Sequence, residues 1–240
     1  MSIKYENIVP WGRSYEEYVR MLDLNSDDLK KRILSCGDGP ASFNSGMKKN
    51  GYKVTSIDPI YQFSKEQIET KIKEKSKDVM LQTKNNADRF IWTHFHGIEE
   101  LFKVRMNAMS EFLDDYSSGK SEKRYIFAEL PALPFKDKSF DLVLCAHLLF
   151  FYSENLSLEF HISSILEMIR LGNEIRIFPI VDLNANLSRY LNPVKEFVDS
   201  LGWSFKEEKV NYEFQKNGNK MLKIFKKPPC LKKLNSKLHA

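Results

Sequence analysis

Two apolar segments on either side of a glycine turn constrain this chain more than any other feature. Arg32-Ile33-Leu34-Ser35-Cys36 runs straight into Gly37-Asp38-Gly39-Pro40. A short helical stretch follows to Asn50-Gly51, and Lys53-Val54-Thr55-Ser56-Ile57 ends on Asp58-Pro59. Strand, turn, helix and strand in so short a span predict a βαβ unit. Its strands are parallel and its crossover is right-handed.

The same rhythm extends through the rest of the chain. Ser14 and Glu17 have capping-box spacing and predict a helix over 15–23. Ser64 and Gln67 repeat the signal ahead of a lysine-rich helix. Leu101, Phe102, Met106, Met109, Phe112 and Leu113 then share one face of a helix from Ile98 to about Tyr116, which Ser117-Ser118-Gly119 is expected to stop. Further strands are predicted at 125–128, 140–146 and 174–180, and helices at 156–170 and 193–201. The 140–146 segment is almost continuously apolar, as a central parallel strand must be. Segments 204–214 and 220–225 read as a closing pair around Asn217-Gly218, a hairpin signal.

The expected fold is therefore α/β, a Rossmann-like three-layer sandwich. Its seven-stranded sheet is mostly parallel with an antiparallel last strand, and a helical insertion separates strands 2 and 3. One domain spans 1–227. Within it, 1–30 forms a helical lid and 62–122 is the insertion, packed over the sheet edge. A basic tail, 228–240, follows.

Composition narrows the function classes. Residues 216–240 carry eight lysines and no acid, so the first 215 residues hold a net −3 of the total +5. The body is mildly acidic and only the end is basic. That tail lacks interleaved aromatics or a nucleic-acid motif, so a solvated terminus is favoured over a phosphate-binding arm. No apolar run approaches the ~20 residues of a membrane helix, and MSIKYENIVPW has no apolar signal region. The three cysteines, Cys36, Cys145 and Cys230, are widely spaced with no ligand cluster. We expect reduced thiols, a cytoplasmic setting and no metal.

In an open α/β sheet, ligands bind beyond the carboxyl ends of the strands. That rule selects 36–41, 58–61, 128–131 and 145–152. The Gly37–Gly39 turn lets a ligand approach the backbone closely. Asp58 stands 21 residues after Gly37, at the end of the next strand, where a carboxylate can accept both hydroxyls of a ribose.

ILSCGDGPASF, SIDPIY and AELPALPFKDKSFDLVLCAHLLFFY resemble the three main ligand segments of class I S-adenosylmethionine-dependent methyltransferases. Leu133-Pro134-Phe135 and Ser139-Phe140-Asp141-Leu142-Val143 are typical of the small-molecule-type branch. More narrowly, the chain looks like an uncharacterised bacterial group with a similar GDGPASFN turn. The resemblance implies S-adenosylmethionine as cofactor and S-adenosylhomocysteine as product. Cys36, Gly37, Asp38 and Gly39 would lie along its methionine part and ribose. Asp58 would hold the ribose hydroxyls, with Pro59 and Ile60 beside the adenine. Glu129 and the Leu130 backbone would sit at the adenine amino group, and Cys145, Ala146 and His147 near the sulfonium. The sequence departs from the family at Ser35, Ala41 and Glu129, where an acid, a third glycine and an aspartate are usual.

His147 is the candidate general base, with Tyr152 and His161 behind it. Trp11, Arg13 and Tyr15 are candidates for a lid, and Trp92, His94 and His96 for an acceptor pocket. No Asp/Asn-Pro-Pro-aromatic segment follows the fourth strand, which speaks against methylation of the exocyclic amines of nucleic-acid bases, and Leu144 rather than a proline precedes Cys145, which speaks against the cysteine-adduct route to carbon-5 of pyrimidines. The expected partner is a small molecule. Three other readings stay open: a binding module without catalysis, an RNA methyltransferase using the tail, and a nicotinamide oxidoreductase, which lacks its third glycine here.

Overall fold

The computed structural model describes residue 3 and residues 5–226; the basic tail at 228–240 lies outside the described residues. Seven strands form one sheet: β1 (Ile33–Cys36), β2 (Val54–Ile57), β3 (Tyr125–Ile126), β4 (Leu142–Ala146), β5 (Glu174–Phe178), β6 (Trp203–Lys209) and β7 (Lys220–Lys226). Their order is β3-β2-β1-β4-β5-β7-β6. The five strands from β3 to β5 are parallel, and β7 runs antiparallel to both its neighbours. This is the Rossmann-like arrangement expected from the sequence.

Side-chain alternation explains why the central strands are apolar throughout. On β4, Val143 and Cys145 join a core with Leu34, Cys36, Ile175 and Ile177 on one face of the sheet. Leu142, Leu144 and Ala146 join Ile33 and Val54 in a second core on the other. Helices α6 (Leu158–Leu171) and α7 (Leu191–Ser200) cover the first face. Helices α1 (Tyr15–Met21), α2 (Ser26–Leu29) and α3 (Phe43–Lys49) supply Tyr18, Met21, Leu29, Phe43 and Met47 to the second. Both predicted capping boxes form, at Ser14–Glu17 and Ser64–Gln67.

The structure sharpens four of these expectations. The stretch 5–13 holds no helix; it is an extended strap, and helix begins only at Tyr15. Gly119 does not stop its helix: α5 (Ile98–Ser121) continues through it after α4 (Lys65–Asn85). A Cβ at Gly119 would stand 2.4 Å from the Tyr125 ring, so this glycine permits close helix–strand packing. The expected β6–β7 hairpin forms, but strand β6 ends at Lys209 rather than Phe214, so the connection is the loop 210–219 instead of 215–219. Val210 N still donates to Asn219 O at 2.9 Å, and beyond it Tyr212 and Phe214 turn into the second core. The insertion does more than cover the sheet edge. Its 86–97 segment bonds to that loop, with Ile91 N donating to Phe214 O at 2.6 Å and Lys216 N to Arg89 O at 2.9 Å.

Candidate functional site

A cavity of about 450 Å³ opens over the carboxyl ends of β1, β2 and β4. That size falls among small-molecule sites, which span roughly 300–1,000 Å³. Its floor is the glycine turn and the tips of the strands. Its roof is the strap, carrying Val9, Trp11 and Arg13, and one wall comes from α4 through Lys71, Val79 and Thr83. Hydrogen bonds tie down the strap and Ile3 ahead of it, and Ser42 N donates to Arg13 O at 3.0 Å. Ile3 N donates to Asn184 Oδ1 at 2.9 Å, Val9 N to Tyr152 Oη at 3.2 Å, and Asn155 Nδ2 to Tyr5 O at 2.9 Å.

The glycine turn is fastened to β2. Gly37 (φ +71°) and Gly39 (φ +55°) occupy the left-handed region, which disfavours any side chain with a Cβ. A Cβ on Gly37 would also lie 2.6 Å from Leu148 Cδ2. Asp58 is half-buried at the cleft. Its Oδ2 accepts from Gly39 N and its Oδ1 from Ile60 N, both at 2.8 Å. Tyr61 Oη donates to Gly39 O at 2.8 Å. Each Asp58 oxygen keeps a lone pair for a further donor. Burial pushes its carboxyl up to about 6, against the backbone donors of Ile60 and Gly39, which lower it. A ligand that brings two hydroxyls to this carboxylate supplies what burial has removed.

The sequence candidates separate into three groups. Gly37, Asp38, Gly39, Asp58, Pro59, Ile60, Glu129, Leu130, Ala146 and His147 all line the cavity, as do Trp11, Arg13 and Tyr152. Asp38 is nevertheless turned inward: Tyr18 Oη donates to its Oδ1 at 2.9 Å and Ser35 Oγ bonds to the same atom. Its side chain thus braces α1 against the turn, and the serine at position 35 has a structural partner. Glu129 stands exposed at the rim.

Cys36 and Cys145 do not line the cavity. They are register partners on β1 and β4, both fully buried, with thiols in the apolar core. Burial pushes both thiols up, Cys145 to about 12. Tyr15, Trp92, His94 and His96 are also elsewhere. Tyr15 stacks on Phe43, Trp92 packs edge-on against Phe214, His94 stacks on Tyr212, and His96 is exposed beside Glu100. His161 is buried with both ring nitrogens engaged, by Phe150 N at 3.0 Å and Ser157 O at 2.7 Å.

His147 sits at φ +54° with its own N–H bonded to Phe178 O at 2.6 Å. Phe151 and Phe178 meet its ring edge-on at 5.0 and 5.5 Å. Its Nδ1 is buried without a partner. Burial, then the positive charges of Arg13 and Arg105, hold its ring well below the usual histidine range, so it is neutral.

Beneath the strap lies a charged cluster that local sequence patterns do not signal. Arg105 of α5 is fully buried and paired with Glu17 of α1, and Tyr212 Oη donates to Glu17 Oε1 at 2.7 Å. These residues are far apart in the chain and meet only because α5 and the 210–219 loop converge on α1. Among the described residues, no group of three or more His, Cys, Asp and Glu could hold a metal ion, and no helix is long and apolar enough to cross a membrane.

No protein-family model matches the chain. Among solved structures it is similar to magnesium protoporphyrin IX methyltransferase from Synechocystis with bound SAM. The TM-score is 0.48 and the identity 11%, with 89% of this chain and 78% of that one covered. It is also similar to a TehB-like SAM-dependent methyltransferase from Corynebacterium glutamicum (TM-score 0.45, 14% identity, 83% and 81% covered). The uncharacterised protein MJ0045 of Methanocaldococcus jannaschii is 37% identical over 227 residues, covering 92% of this chain and 98% of the relative. The chain therefore belongs to the family of MJ0045, and its strand order β3-β2-β1-β4-β5-β7-β6 with an antiparallel β7 makes it a Rossmann-like α/β fold.

Proposed function

We propose that this protein transfers a methyl group from S-adenosylmethionine to a small-molecule acceptor held under the 5–13 strap. One observation carries the reading. A half-buried carboxylate, Asp58, is locked by two backbone N–H groups at 2.8 Å beside a glycine turn that leaves the backbone open to a ligand. The residues present fit the cofactor. Asp58 would take the ribose hydroxyls, Ile60 and Leu130 would flank the base, Glu129 would face its amino edge, and Gly37 to Gly39 would border the rest.

When bound, the cofactor supplies a methyl group already activated by its sulfonium. The protein's task is placement, and orienting two reactants accounts for ~7–11 kcal/mol of barrier. The strap and the α4 wall support an acceptor of small size, because they narrow the cavity from above. The aromatic surroundings of Phe151, Tyr152 and Phe178 exclude water from the region around His147. Burial and the nearby guanidinium groups hold the His147 ring neutral, the form that can accept a proton or a hydrogen bond from the acceptor. A cytoplasmic setting accords with the unpaired thiols of Cys36 and Cys145.

The test is a titration with S-adenosylhomocysteine, followed by incubation of the protein with methyl-labelled S-adenosylmethionine and cell extract. Binding with label in the low-mass fraction is expected. Label confined to RNA or protein refutes a small acceptor, and binding without any transfer supports a module that holds the cofactor only.

A further inference from the structure

The aromatic end of the cavity carries an uncompensated positive charge. Arg13 lines it. Its Nη1 donates to Trp11 O at 2.8 Å, and its Nε is buried without a partner. No carboxylate among the described residues forms an ion pair with it. The nearby acid, Glu17, is already taken by Arg105, by Tyr212 Oη and by Ser14 N at 3.0 Å. Glu17 and Arg105 offset each other, so Arg13 leaves the cluster one charge positive. His147, electrostatically coupled to Arg13 in the same cavity, adds a second buried nitrogen with no partner. A half-buried cation with an unpartnered Nε and an orphan ring nitrogen on one apolar wall are costly unless a ligand completes them.

We propose that Arg13 and His147 bind the carboxylate of the methyl acceptor, and that the acceptor is an apolar, aromatic small-molecule acid. This rests on the reading of the other half of the cleft as the cofactor's. Location assigns the anion to the acceptor. Arg13 belongs to the strap, which Tyr152 of the segment after β4 ties down through Val9 N at 3.2 Å, whereas Asp58 and Glu129 stand at the tips of β2 and β3. The walls beside Arg13 and His147 are Trp11, Phe151 and Tyr152, which suit a flat apolar body. An Nδ1–H tautomer of His147 donates to one carboxylate oxygen while the guanidinium serves the other.

The experiment uses the full chain saturated with S-adenosylhomocysteine. Benzoate and phenylacetate are titrated by ligand-observed NMR, with benzamide as the uncharged control. Wild type is expected to bind at least one acid roughly 10- to 100-fold more tightly than benzamide. Arg13→Gln is expected to abolish that preference, and Arg13→Lys to retain part of it. Failure of both acids to bind, or equal binding of acid and amide, overturns the proposal without recourse to a variant. A second arm compares S-adenosylhomocysteine with 5′-methylthioadenosine, which lacks the amino-acid carboxylate. If Arg13→Gln weakens the first and spares the second, Arg13 serves the cofactor and the proposal falls. If neither nucleoside binds wild type, the cofactor reading fails, while acid binding to the cofactor-free protein still decides the anion site.

Discussion

Truncating Asp58 to alanine separates ligand grip from fold stability, because its two contributions to stability oppose each other. Below about pH 4 the neutral carboxyl still accepts from Gly39 N and Ile60 N. Two such bonds contribute about 1–3 kcal/mol together. Burial raises the carboxyl from its ordinary 3.8 to about 6. A raised folded-state value means that wild-type stability falls as pH climbs through that window and is level above it. A displacement of this size corresponds to at most about 3 kcal/mol. Alanine removes both effects. We therefore expect Asp58→Ala to be destabilised by about 1–3 kcal/mol near pH 4 and to match wild type near pH 8, measured by urea unfolding. At the higher pH, loss of two charge-assisted bonds to a ribose, about 3–6 kcal/mol together, weakens S-adenosylhomocysteine by roughly 100-fold or more in calorimetry. An unchanged isotherm, or a stability deficit that stays constant across the pH range, refutes the reasoning.

Three further outcomes follow from the core. Arg105→Met strands Glu17 and is expected to cost about 3–5 kcal/mol in urea unfolding; adding Glu17→Gln should recover part of it. Burial pushes Glu17 up, but Arg105 and Arg13 draw it down to about 2, so the wild-type pair's contribution persists above the ordinary carboxylate range and is lost only as pH falls toward 2. Gly119→Ala places a methyl group 2.4 Å from the Tyr125 ring and should destabilise by about 1–3 kcal/mol, read as a lower melting temperature. Cys36 and Cys145 should resist Ellman's reagent in the native protein and react at the rate of unfolding, since both are fully buried with raised thiols; prompt native-state labelling of either would contradict that burial.

The parts of this molecule legible in its sequence are those governed by short-range rules. Period and turn chemistry exposed β1, the Gly37–Gly39 turn, β2 and Asp58, because each side chain's role is set within a few residues. Both capping boxes were readable for the same reason. The misreadings arise where distant segments decide. Gly119 looks like a stop signal until the Tyr125 ring is seen packing where its side chain would be. The Asn217-Gly218 pair does mark the β6–β7 hairpin, but its loop is longer than the local pattern suggests because Tyr212 and Phe214 are drawn into the core. Cys36 and Cys145 share a strand-tip address with true lining residues, but alternation along the strand points them the other way. The Arg13–Glu17–Arg105–Tyr212 cluster spans almost the whole chain, and no local pattern announces it.

The most direct measurement is a crystal structure of the protein with S-adenosylhomocysteine. The account predicts the ribose hydroxyls on the Asp58 carboxylate and the thioether sulfur on the side of the cleft facing His147. Nucleoside density elsewhere on the molecule, or none at saturating ligand, would contradict it.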